Sequence, residues 1–239
     1  MKFVLADERL PHCSESALRE DGFEVVRLPS SDMLPAPLSS HADMLIFKCG
    51  SHMLTSKKYR LQNDGIFEAL EKNLPYIFIY SDENFKKSYP HDAIFNALKI
   101  GSHVFLKTDS ISKEIISIAE REGLRLIHVN QGYPACVTLP LGEGAAITSD
   151  KGMALAMRGA GIRVYEIENS SAISLPPYEY GFIGGAAGVC GDTVYFIGDI
   201  DSHPSASIIK DAIAKENMTY RSLPTGRCGL LDLGRLIFC

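Results

Sequence analysis

The chain has 239 residues, 46% hydrophobic and 22% charged, the balance of an ordinary globular protein. A formal net charge of −5 with no Lys/Arg stripe argues against nucleic-acid binding, and no apolar run is long enough to span a bilayer. No linker rich in Pro, Gly, Ser or charge divides the sequence, so one domain over residues 1–239 is expected. The N-terminal stretch reads as a strand followed by acidic residues rather than as a secretion signal. That points to the cytoplasm, where the six cysteines stay reduced. No Cys-x-x-Cys zinc pair occurs, and no cofactor is expected.

In chain order, residues 2–7 read as a strand, 14–21 as a helix stopped at Gly22, and 23–26 as a second strand. Residues 28–38, with three prolines and two serines, read as a loop. A pattern then recurs about every 45 residues: an apolar run, a glycine, a second apolar run, a helix and a third apolar run. The first runs are 43–47, 93–98, 136–141, 185–189 and 228–233, closed by Gly50, Gly101, Gly142, Gly191 and Gly234. Second runs follow at 52–54, 103–106, 145–148 and 193–197. Helices are expected over 113–120, capped by Asp109 or Ser110, and over 153–158 and 206–215. Third strands are expected over 124–129, 162–167 and 219–223. The tail, 228–239, reads as a hairpin without a helix, and head and tail together could complete a fifth unit.

Counting back six residues from each closing glycine selects Met44, Phe95, Cys136, Gly185 and Cys228. In a ring of such units these positions would share one mouth. Their neighbours Asp43, Asn130, Gln131, Tyr133, Gly184, Arg227 and Asp232 join them as candidates.

Five strand–strand–helix–strand units closed by the chain ends resemble the pentein fold, an α/β propeller found in guanidino-group-modifying enzymes. The resemblance covers nearly the whole chain in architecture and little of it in motif. It implies a nucleophilic Cys opening the first strand of the last unit, where Thr225-Gly226-Arg227-Cys228-Gly229 stands. A thiolate there would attack a guanidinium carbon, with Arg227 steadying its charge. The plainer reading of Cys228 is a buried thiol at the start of a core strand. The resemblance also implies a His in the fourth unit and an acidic sequence in the third. This chain instead has a His-free Tyr180–Gly188 stretch and Asn130-Gln131-Gly132-Tyr133-Pro134-Ala135-Cys136. Any acid/base group must then be a non-standard one.

Other constellations have two readings each. The glycines at 181, 184, 185, 188 and 191 could bring backbone amides to a ligand or allow close strand packing. Asp199, Asp201 and His203 could meet a metal, or Asp201 or Ser202 could cap the helix near Pro204. Cys136 and Cys228 would place two thiols at one mouth, while His52 and His103, each after Gly-Ser, read as turn residues. Two functions remain open. One is a Cys-dependent hydrolase or transferase acting on a guanidino or amidino small molecule, with Cys228 as nucleophile and Arg227, Cys136, Asp43, Asn130, Gly184 and Gly185 around the substrate. The other is a silent pentein that binds a small ligand or macromolecular partner, as the ribosome anti-association factor of this fold does.

Overall fold

A computed structural model describes residues 2–239; Met1 lies outside them. Five three-stranded sheets share one order, in which the second strand lies between an antiparallel first and a parallel third. The first sheet is Phe47–Cys49, His52–Ser56 and Ile77–Ser81. The second is Leu98–Ile100, His103–Leu106 and Arg125–His128, and the third Thr138–Leu141, Ala145–Thr148 and Arg163–Glu166. Ala187–Cys190, Thr193–Ile197 and Thr219–Leu223 make the fourth. The fifth joins the two ends of the chain: Ile237–Phe238 pairs antiparallel with Lys2–Asp7, which runs parallel to Phe23–Leu28.

The glycine between first and second strands has a physical reason. Cys49 pairs with His52, Ile100 with His103 and Cys190 with Thr193, leaving two-residue loops. The glycine opening each loop has a φ of +54° to +60°, and no other residue of these loops has a positive φ. That is the II′ pattern, whose twist matches the paired strands and whose first central position favours Gly.

Between the second and third strands of each sheet runs at least one helix, the crossover that a parallel pair requires. Lys113–Arg121 buries Ile115, Ile118 and Ala119, a helical spacing that turns one apolar face inward. Its cap is Ser112, which accepts from the Glu114 amide, rather than Asp109 or Ser110. Lys151–Gly159 is capped by Asp150, and Ala206–Lys215 begins without a side-chain cap. The 199–203 string caps differently from expectation. Asp199 accepts from the Asp201 amide and closes a 3₁₀ turn over Ile200–Ser202, and His203 Nδ1 accepts from the Ser205 amide.

Contacts pass from each sheet to the next and close on themselves. Helix Lys113–Arg121 packs on the first sheet, and Lys99 of the second pairs with Glu143 at the third sheet's hairpin. Helix Ala206–Lys215 packs on the third sheet and His12–Glu20 on the fourth. Lys48 of the first sheet donates to the Phe238 carbonyl of the fifth. One large core, with Leu5, Met44, Leu54, Phe67, Phe95 and Val104, spans the first, second and fifth sheets. No helix among the described residues is long and apolar enough to cross a membrane.

The tail departs from expectation. Residues 228–233 were expected as the first strand of the last unit, but Leu230–Leu231 pairs in parallel with Ile173–Ser174 in a separate two-stranded sheet. The first-strand place is taken by Ile237–Phe238. Apolar content alone cannot distinguish two runs so close together.

Candidate functional site

Because Ile237–Phe238 is the fifth first strand, the segment leading into it is Asp232-Leu233-Gly234-Arg235 rather than Arg227-Cys228. The segments entering the first, third, fourth and fifth sheets converge on a cavity of about 480 Å³, whose wall includes His41, Cys136, Phe182 and Asp232. Tyr133 and Gln131 form one side, and Tyr178, Glu179 and Tyr180 lie at its rim.

Cys136 sits on a single helical turn, Pro134–Val137, and is 4% exposed. Its Sγ donates to Asp43 Oδ2 at 2.9 Å, and Asn96 Nδ2 donates to the same sulfur at 3.2 Å. The fully buried Asn96 also donates to the Asp43 carbonyl and accepts from the Ala135 amide, which ties three units together. Burial first, then the carboxylates of Asp43 and Asp232, push the Cys136 thiol well above its ordinary range. The other Asp43 oxygen, Oδ1, has no hydrogen-bond partner.

Asp232, 2% exposed, accepts from the Phe182 amide at 2.8 Å and the Gly234 amide at 3.1 Å. Burial raises its carboxyl above the usual range, while His41 and these two amides pull it back. His41 lies between two buried carboxylates, with Nδ1 3.9 Å from Asp232 Oδ1 and Nε2 4.0 Å from Asp7 Oδ2. Neither ring nitrogen has a hydrogen-bond partner among the described residues. Asp7 is already held by Arg9 through Nε at 2.9 Å and Nη2 at 2.6 Å. The cavity is lined by two carboxylates, the exposed Glu179 and the buried Asp232, and among the described residues no cation is in hydrogen-bonding contact with Asp232.

The glycine-rich segment makes room for this cluster. A Cβ at Gly185 would lie 2.0 Å from Asp232 Oδ1, and one at Gly184 2.3 Å from the Ala135 carbonyl oxygen. Gly181 is in the same position against Asp232 Cβ, at 2.5 Å. Only a residue without a side chain lets the backbone approach so closely.

The expected site residues therefore divide. Cys136, Gln131, Tyr133 and Asp232 line the cavity, Asp43 lies directly behind the thiol, and Gly184 and Gly185 form the floor that Asp232 and the Cys136 turn require. Cys228 and Arg227 are exposed and border a separate groove with Asp199 and Pro224. Cys228 makes no side-chain hydrogen bond among the described residues, so the two thiols are not brought to one mouth. Asn130 is exposed beside His128 in a further groove. His52 bonds Glu122 at 2.7 Å across two sheets. Among the described residues no three His, Cys, Asp or Glu side chains are grouped to hold a metal ion.

Sequence reasoning missed His41, Asn96 and Arg235. Asn96 left a signal, as the one polar residue inside the apolar run 93–98. His41 lies just outside the first run and carried none.

This architecture is the pentein fold of the guanidino-group-modifying enzymes. Dimethylarginine dimethylaminohydrolase from Pseudomonas aeruginosa, solved with citrulline, superposes with a TM-score of 0.54 at 10% identity over 94% of this chain and 92% of that one. The N-terminal domain of ArgZ, a cyanobacterial arginine dihydrolase bound to substrate, gives 0.57 at 11% identity over 95% and 92%. SxtG, an amidinotransferase of saxitoxin biosynthesis from Microseira wollei, gives 0.55 at 10% over 97% and 93%. Within this fold the chain belongs to a family of unknown function, DUF6873, whose model matches residues 5–237. A search of the curated proteins gives no match.

Proposed function

We propose that this protein binds a guanidino- or amidino-bearing small molecule in the central cavity and modifies it through Cys136, as a hydrolase or transferase. The observation that carries this reading is the Cys136 thiol held 2.9 Å from the Asp43 carboxylate at the wall of a cavity shared with His41 and Asp232. The structural neighbours include an arginine dihydrolase and an amidinotransferase, which supports the substrate class.

In the empty site the thiol keeps its proton, because burial and two carboxylates oppose a thiolate. A planar cation beside Asp232 supplies the missing positive charge and eases ionisation. The thiol proton passes to Asp43 Oδ2, the sulfur bonds to the amidinium carbon, and the C=N electron pair moves to nitrogen. His41 then gives a proton to the departing amine as the C–N bond breaks. Water or an acceptor amine then attacks the S-amidino carbon and gives a proton back to His41, the C–S bond breaks, and the sulfur regains its proton from Asp43. A second reading, binding without turnover, is favoured by the same raised thiol.

A matched pair of electrophiles tests the reading. 2-Chloroacetamidine, a cation, should label Cys136 selectively, and neutral iodoacetamide should label it at least tenfold more slowly. Labelling of Cys228 by both reagents, with Cys136 untouched, would overturn the assignment of the nucleophile. Protection of the cavity by benzamidine without any Cys136 labelling would favour the silent binder.

A further inference from the structure

Asp43, the hydrogen-bond partner of Cys136, lines a second cavity of about 190 Å³ that shares no lining residue with the first. Its wall carries three cations, Lys48, Lys99 and Arg235, with Asp43 as its one carboxylate. Asp43 is engaged with the Cys136 thiol, and Lys99 is paired at the rim with the exposed Glu143. Lys48 donates to the Phe238 carbonyl and lies over the Tyr76 ring, so no acid neutralises it.

Arg235 is the unusual member. Among the described residues no carboxylate lies within ion-pairing distance of it, and its only side-chain hydrogen bond runs from Nη2 to the Thr138 carbonyl at 3.2 Å. A guanidinium has five donors, so most of its capacity is unspent. Its backbone has a φ of +60°, directly after Gly234 at +70°. A long side chain adopts the left-handed region at a cost that Gly or Asn would largely avoid. Such outliers persist where the side chain they present is used. Burial also opposes the charge on Arg235, which Asp43 only partly relieves.

We propose that this second cavity is a binding site for a small oxyanion, a carboxylate or a phosphate, with Arg235 as its principal ligand and Lys48 beside it. An oxyanion offers the planar or forked acceptors that a guanidinium engages in pairs. The volume suits a group of a few heavy atoms. The site is distinct from the cavity that would take a cation: Asp43 lines the one and its hydrogen-bond partner Cys136 the other.

The test is thermal unfolding of the full chain at constant ionic strength, with chloride exchanged for inorganic phosphate or for malonate. A ligand that binds only the folded chain raises its melting temperature in a saturable way. Saturation with phosphate, malonate or both supports the proposal and says which oxyanion chemistry is preferred. Arg235→Gln should abolish the shift, and Lys48→Gln should weaken the apparent affinity at least fivefold. A response no greater than chloride's would overturn the site, as would an undiminished response in Arg235→Gln. Should Arg235→Gln fail to fold, Lys48→Gln combined with Lys99→Gln decides, and unchanged binding there overturns the proposal. Neither thiol chemistry nor cation binding enters this readout, so it stands or falls apart from the proposed reaction.

Discussion

Cys136 and Cys228 both follow turn-rich sequence and both precede an apolar run, yet they occupy opposite environments. Cys136 lies where four units converge, with a carboxylate and an amide on its sulfur. Cys228 is exposed in a loop of the tail, beside Arg227, with neither. The difference arises from strand pairing: Thr138–Leu141 is the first strand of its sheet, whereas Leu230–Leu231 pairs with Ile173–Ser174 outside the five. A cysteine's local sequence thus says little about its chemistry until the neighbouring units are in place.

The largest expected contrast lies in the glycines of the two regions. Gly185→Ala drives a Cβ to 2.0 Å from Asp232 Oδ1, with both neighbours buried. It should cost about 3 kcal/mol, the overpacking range for a site that cannot yield. Gly226, near Cys228, has a φ of +70° and open space around it. Gly226→Ala should therefore cost only about 1 kcal/mol, from backbone conformation alone. Urea denaturation of both variants measures this. Equal losses would mean that the Asp232 floor is not tightly built.

Asp232→Asn sharpens the comparison at the level of charge. Benzamidine affinity should fall about tenfold at pH 7.5, or about 1.4 kcal/mol, because the buried carboxylate of the cavity is lost. Calorimetric titration measures it. In the unsubstituted protein, affinity for the cation should rise with pH through the raised range of this carboxyl, as the charged form gains population. Asp232→Asn should lose that rise with pH. Stability follows the opposite course. A carboxyl raised in the folded chain contributes stability that is fully present below its unfolded pKa of about 3.9. That contribution is lost as pH rises through the folded value, and the variant should lack this part of the slope. An unchanged benzamidine affinity would place the cation elsewhere in the cavity.

Much of the fold was legible because hairpin glycines and helical spacing are local signals. Gly50, Gly101 and Gly191 mark II′ turns, and residues 113–120 show their buried face directly. The joining of Ile237–Phe238 to Lys2–Asp7 was foreseen in outline, but the run that supplies the strand was not. Pairing across more than 230 residues depends on register, and residues 228–233 and 236–238 are both apolar runs lying only a few residues apart. The site was legible where it lay on or just before a repeated first run, as with Cys136, Asp43, Gly185, Gln131 and Tyr133. His41 reaches the cavity from the residue preceding a four-residue helix, Ala42–Leu45, and Arg235 from a left-handed turn. Neither position belongs to a strand or helix pattern that periodicity could reveal.

The smallest expected effect is the most direct check on the tail. Cys228→Ser exchanges an exposed thiol for a hydroxyl where, among the described residues, no side-chain hydrogen bond is made by the sulfur. Surface changes of this kind stay within about 0.5 kcal/mol, and chloroacetamidine labelling of Cys136 should be unaltered. Cys136→Ser keeps a hydroxyl donor facing Asp43 on a shorter bond, so it should fold while losing the labelled peptide. Measured together, the two variants separate a thiol that the surrounding units have built into a site from one that the chain only displays. Loss of labelling at Cys136 in Cys228→Ser would show instead that the tail groove and the cavity act on each other, and the contrast between the two regions would have to be abandoned.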